Sequence, residues 1–125
     1  MIAKNLVADN AVVGTIERRR YRRVALAIQV EFRLQSGDVP LRTRTTDISL
    51  GGCYVEMPFT LEVGSQVDIV LWVGAQKVKA TGVVVTSHSQ FGNGVKFTSM
   101  SPEAMDLLER YLNKMEDEQT VEQPM

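Results

Sequence analysis

The stretch LAIQVEFRLQSGDVPLRTRTT, residues 26–46, decides the fold. Leu26, Ile28, Val30, Phe32 and Leu34 alternate with Ala27, Gln29, Glu31 and Arg33. One buried and one wet face give a strand this period of two. Ser36-Gly37-Asp38 is turn chemistry and a second strand follows over 39–46, so the stretch predicts a hairpin. Working outward, Gly51-Gly52 leads into a short third strand over 53–57, stopped by Pro58. A fourth strand runs over 67–73, and Gly74-Ala75 connects it tightly to a fifth over 77–85, with Lys77, Lys79 and Thr81 facing out and Val78 and Ala80 in. After a loop over 88–93, Gly94-Val95-Lys96-Phe97 makes a sixth strand. Short strands at this spacing with Gly-rich turns predict an antiparallel barrel or sandwich.

One helix closes the chain. Ser101 suits its N-cap, Pro102 its first position and Glu103 the positive end of its dipole. Met100 and Met105 have the spacing of a hydrophobic staple. Met105, Leu108, Leu112 and Met115 repeat at intervals of three and four, a stripe expected to lie on the barrel. Residues 1–17 show no sustained period and read as a flexible arm. Residues 116–125, EDEQTVEQPM, read as a frayed acidic tail. The folded unit is therefore expected over 18–115.

A chain of 125 residues, 44% hydrophobic and 23% charged, suits one globular domain; it excludes a collagen repeat, wholesale disorder and a disulfide scaffold. The longest apolar run, 69–73, is far short of the roughly 20 residues that span a bilayer. The opening MIAKNLVADNAVVG lacks the apolar core of a secretory signal, and Cys53 has no second cysteine to pair with, so the expected location is the cytoplasm. Net charge is −1, but it is split. Residues 1–55 carry nine Lys/Arg against five Asp/Glu, and residues 56–125 carry five against ten. Eight of those nine are arginine, the side chain suited to forked bonds with phosphate and to stacking on flat rings.

Two segments carry chemistry. Arg18-Arg19-Arg20-Tyr21-Arg22-Arg23 sets five guanidinium groups in six residues, and such crowding favours an anionic partner. Asp47-Ile48-Ser49-Leu50-Gly51-Gly52 combines side chains that bond nearby backbone with two glycines that allow positive φ and close approach. Taken singly, a solvated basic turn and a plain hairpin turn account for them.

Taken together, in this order and in a barrel setting, they resemble the PilZ domain, the bacterial receptor module for cyclic di-GMP. The family's RxxxR stands here as Arg19 to Arg23 and its [DN]xSxxG as Asp47 to Gly52; Gly94 to Phe97 resembles its late Gly-x-x-Phe strand. The resemblance covers about residues 17–115 and implies a mainly β fold, a six-stranded antiparallel barrel with one C-terminal helix. It implies that Arg19 and Arg23 take phosphate oxygens and guanine edges, that Asp47 accepts from a guanine donor edge, and that Ser49 bonds ligand or locks the turn. Gly51 and Gly52 would leave room for the purine, and Arg20 would join the ligand-binding set. Relatives with an arginine just before RxxxR bind a stacked ligand pair; Arg18 stands there, so two ligands per chain are expected. One departure is plain: some relatives carry a stacking aromatic before the late glycine, where this chain reads Thr86-Ser87-His88-Ser89. His88 either takes part of that surface or is an exposed loop histidine.

Other chemistries fare poorly. One histidine and one cysteine make no zinc-type cluster, Ser49 has no evident base, and no phosphate-binding glycine loop is present. Cys53 reads as a small buried strand residue. The residues thus offer binding without catalysis and without a cofactor, and the resemblance implies a cyclic di-GMP receptor. Its arginine-rich segment is expected to close over ligand and alter the surface offered to a protein partner. The alternative is a nucleotide-independent interaction protein of motility or pilus assembly. Nucleic acid is a poor fit, since only Tyr21 interleaves with the basic residues.

Overall fold

The computed structural model describes residues 22–37, 39–57 and 60–121, the side chains of 120 and 121 excepted. The arm expected over 1–17, the arginines Arg18, Arg19 and Arg20, and residues 122–125 of the expected tail lie outside them. Six strands are formed: β1 (Gln29–Leu34), β2 (Pro40–Ile48), β3 (Gly52–Glu56), β4 (Gln66–Val73), β5 (Gln76–His88) and β6 (Gly92–Met100). They close one antiparallel barrel in the order β1-β2-β3-β6-β5-β4. Phe32 shows the closure: it faces Leu41 of β2 on one side and Ile69 of β4 on the other. A closed ring leaves no strand edge unpaired.

Alternation builds the core. Val67, Ile69, Leu71 and Val73 of β4 point inward beside Val30, Phe32, Val55 and Val84, all buried. Each such side chain contributes roughly 1.5–3 kcal/mol relative to exposure. The β4–β5 turn has positive φ at Gly74 alone of its two central residues, the type II′ pattern that matches strand twist. The loop expected over 88–93 shrinks to three residues. His88 and Gly92 pair across the hairpin, the Phe91 amide donates to the His88 carbonyl at 2.9 Å, and Gln90 takes the positive φ.

Helix α1 (Pro102–Val121) begins as expected: the Ala104 amide donates to Ser101 Oγ at 3.1 Å. Its buried stripe is rotated from the expected one. Leu108 and Leu112 are buried and Ala104, Leu107 and Tyr111 pack with them, whereas Met105 stays 37% exposed. Both stripes satisfy helical spacing, so periodicity alone does not separate them. The acidic segment expected to fray from Glu116 is instead helical to Val121. Tertiary bonds hold it. Arg22 Nη1 meets Glu116 Oε2 at 3.1 Å, and Gln119 Nε2 donates to the Ala25 carbonyl at 2.8 Å.

The first strand also differs from its expected span, 26–34. Regular pairing starts at Gln29, opposite Arg44. Before it the chain runs beside β2 in a shifted register: Thr45 N donates to the Ile28 carbonyl, Leu26 N to the Thr46 carbonyl, and Val24 and Ile48 exchange both backbone bonds. Two residues advance here against one, which is a β-bulge. Thr45, 2% exposed, fills the gap. Its Oγ1 donates to the Leu26 carbonyl at 2.6 Å and accepts from the Ile28 amide at 2.9 Å. Thr45→Val keeps the shape and removes both bonds, and a buried unsatisfied backbone group costs about 1–3 kcal/mol. We expect a loss of about 2–4 kcal/mol in urea unfolding. Thr43→Val, which removes one bond at an exposed site, should cost under about 1 kcal/mol.

Candidate functional site

A second bulge sets the site. β2 pairs Thr45 with Val55 but Asp47 with Tyr54, so two residues of β2 pass one of β3. Thr45 and Ile48 therefore both face the core, and Asp47 is turned outward. There its Oδ1 accepts from Arg23 Nη1, which the Val24–Ile48 bridge brings alongside. The turn after it is self-bonded. Ser49 is buried; its amide donates to the Gly52 carbonyl at 2.8 Å and its Oγ accepts from the Gly51 amide at 3.0 Å. Of the two roles the resemblance implies for Ser49, locking the turn is the one its bonds perform.

Of the two uses expected of the glycines, close approach is the one seen, at Gly52. Neither Gly51 nor Gly52 has positive φ. Gly52 is a close-approach residue, since a Cβ there would stand 2.3 Å from the Val95 carbonyl oxygen of β6. Gly51 accepts the Phe97 amide at 2.9 Å. The space over Gly52 is thus taken by β6 of the same chain, which binds the turn to the barrel wall.

Arg23, Asp47, Ser49, Gly51 and Gly52 all line one open groove of about 790 Å³. It is lined by β3, β5 and β6 through Tyr54, Thr86, Gly94, Lys96, Phe97 and Thr98, with Met100 and Met105 at the helix start. Among the described residues it offers cations at Arg23 and Lys96, a carboxylate at Asp47, ring surface at Tyr54 and Phe97, and apolar wall at Val85 and Met105. Arg18, Arg19 and Arg20 lie outside the described residues. Sequence reading missed Tyr54, Thr86 and Lys96. Their only signal was the outward phase of the alternation on β3, β5 and β6. His88, read as a loop residue, ends β5, and its Nδ1 stands 2.9 Å from the Tyr54 hydroxyl.

Cys53 is buried beneath this surface. Burial first, and the Asp47 carboxylate second, push its thiol up to about 12, while Arg23 opposes the shift. A thiol is nucleophilic only as thiolate, so this cysteine carries no chemistry at neutral pH. In the folded protein it should resist iodoacetamide at pH 8 and react fully in denaturant, as followed by mass spectrometry. Gly52→Ala should force β3 from β6 at a cost of about 1–3 kcal/mol and speed that labelling.

Comparison with known proteins gives the family. The PilZ domain family matches residues 17–114. No curated protein matches the sequence. Among solved structures, the chain is similar to the Bacillus subtilis inhibitor of motility MotI/DgrA, with a TM-score of 0.69 at 16% identity, covering 79% of this chain and 51% of that one. It thus spans about half of that protein. The PilZ domain of CeSA from a cellulose-synthesizing bacterium gives a TM-score of 0.62 at 20% identity over 76% of this chain and 98% of that one. The PilZ domain of YcgR from Escherichia coli, with c-di-GMP, gives 0.67 at 19% identity over 86% and 99%. These likenesses speak for the fold. With the family matched over most of its length, and with the Asp47–Gly52 turn set beside Arg23 on the six-stranded barrel, the chain belongs to the PilZ domain family.

Proposed function

We propose that this chain is a cytoplasmic receptor for cyclic di-GMP that works as an adaptor and not as an enzyme. The observation that carries the reading is the meeting of Arg23, from one motif, with Asp47 and Ser49, from the other, on a single groove. The groove's volume falls within the roughly 300–1,000 Å³ of ligand clefts. The YcgR domain of similar fold was solved with c-di-GMP.

Cyclic di-GMP presents two phosphates and two guanines. Arg19 and Arg23 take phosphate oxygens and the O6/N7 edge of guanine, a fit for a guanidinium fork. Asp47 accepts from the opposite, donor edge. Arg18 and Arg20 neutralise further charge, and Arg18 admits a second ligand stacked on the first. The arginine-rich segment then closes over the ligand against the Asp47 turn. This population shift is driven by tighter binding in the closed state, and it changes the surface a protein partner reads.

Isothermal titration calorimetry tests the reading. Cyclic di-GMP should bind with a stoichiometry near two, falling towards one in Arg18→Ala. Arg23→Ala and Asp47→Ala should each weaken binding about tenfold or more, as loss of a charged hydrogen bond requires. GTP should not compete. A folded protein silent to cyclic di-GMP would sink the receptor reading in favour of a nucleotide-independent role in motility or pilus assembly.

A further inference from the structure

We infer that Tyr54 is the stacking platform for a flat purine ring in this groove, and that His88 is the positioning residue that holds it; this rests on the receptor reading above. Tyr54 leaves β3 outward, opposite Gly94 of β6 and, beyond it, Thr86 of β5. Its ring does not stand up from the sheet. A Cβ added at Gly94 would lie 3.7 Å from Tyr54 Cδ1, and one at Gly92 would lie 3.0 Å from Cε2. These two ring atoms are at opposite ends of the ring, so it lies across both glycines. Only residues without side chains let an aromatic ring cover the strand in this way. The hydroxyl then reaches over β6 to His88, 2.9 Å away on β5, with the two ring centroids 5.9 Å apart and tilted by 42°.

The ring is therefore held at three points: its Cα on β3, its underside on β6 and its hydroxyl on β5. A ring fixed before ligand arrives loses no rotamer freedom on binding, which is the gain from preorganisation. It borders the groove that Asp47, Arg23 and Lys96 also line. An anionic ligand with a flat base thus meets cations, a carboxylate and a ring surface in one place. The position before the late glycine, Thr86-Ser87-His88-Ser89, offers no large aromatic. Here the ring comes from the neighbouring strand, while His88 of that segment supports it from beside the groove.

Calorimetry on the full chain with cyclic di-GMP, comparing wild type, Tyr54→Phe and Tyr54→Leu, tests this. A base stacked on an aromatic is worth about 5- to 100-fold in affinity. Tyr54→Leu still covers the glycines but has no ring face, so it should lose that much. Tyr54→Phe keeps the ring face but gives up the His88 bond, so it should show the same smaller loss as His88→Ala. His88→Ala should give an intermediate loss with no change in stoichiometry. In wild type, NMR should show the Tyr54 ring protons shifting upfield as ligand saturates, a readout that a purely structural tyrosine would not move. Wild-type binding with equal affinity in Tyr54→Leu, or unshifted ring protons at saturation, overturns the platform alone. Failure of wild type itself to bind overturns the receptor reading and the platform with it.

Discussion

The buried hydroxyl of Thr45 is the constraint on which the site depends. It stands between the Leu26 carbonyl and the Ile28 amide, where a regular ladder would have placed backbone groups. By filling that gap it permits an extra residue before β1. The same few residues of β2 bulge against β3 on the other side. Had β2 kept strict alternation, Asp47 would share the inward phase of Thr45, and an ionised carboxylate would enter a core of Val, Ile and Phe. Burial of that kind costs several kcal/mol and is avoided. The paired bulges turn Asp47 outward and draw Val24 opposite Ile48, which puts Arg23 against the carboxylate. Bulges recur beside functional sites because they re-aim side chains without breaking the sheet.

The internal pairing of Arg23 with Asp47 is compatible with their use by a ligand. The guanidinium is 58% and the carboxylate 33% exposed, so water and salt screen the pair, and such pairs are worth about 0–1 kcal/mol. A phosphate approaching Arg23, or a guanine donor edge approaching Asp47, displaces little. Rigidity comes from elsewhere. The Ser49 turn is tied by its own backbone bonds, Gly52 is pressed against the Val95 carbonyl, and Gly51 accepts from Phe97. The groove thus joins a rigid floor to side chains that can re-pair, and orientation comes from the floor.

The barrel was legible because each strand kept its period where it faces the core: Val30 and Phe32, then Val67, Ile69 and Leu71, needed no tertiary knowledge. The C-terminal helix was legible for the same reason, through Ser101 and Pro102. Strand ends were less so. Ile28 and Leu26 continue the alternation of β1 in sequence, and only the Thr45 hydroxyl, supplied from another strand, shows why the ladder stops at Gln29. Helix length past Met115 depends on Arg22 and Ala25, about ninety residues away in sequence. Of the site, Arg23, Asp47 and Ser49 were found by motif. The glycines were found with two reasons left open, since sequence cannot separate freedom of φ from the need for a missing Cβ, and Gly52 shows the second. Tyr54 was passed over because its role arises from Gly92, Gly94 and His88 on two other strands, a register that only folding creates.

The residues just before β1 have contacts in three directions. Arg22 reaches the helix at Glu116, Arg23 the turn at Asp47, Val24 the core through Ile48, and Ala25 the helix again through Gln119. These ties differ in kind. Val24 is buried and makes two backbone hydrogen bonds, so it is a fixed point. The two ion pairs are solvent-exposed and weak by comparison. The segment is therefore pinned at one residue, with an arginine on the groove side and another on the helix side of the pin. The helix start already lines the groove through Met105, and this four-residue stretch is a second place where groove and helix meet one backbone. A charge that re-pairs Arg23 acts one residue from the fixed point and two from a bond to α1. Arg22 and Arg23 thus stand at the seam between the groove and the helix, one on each side.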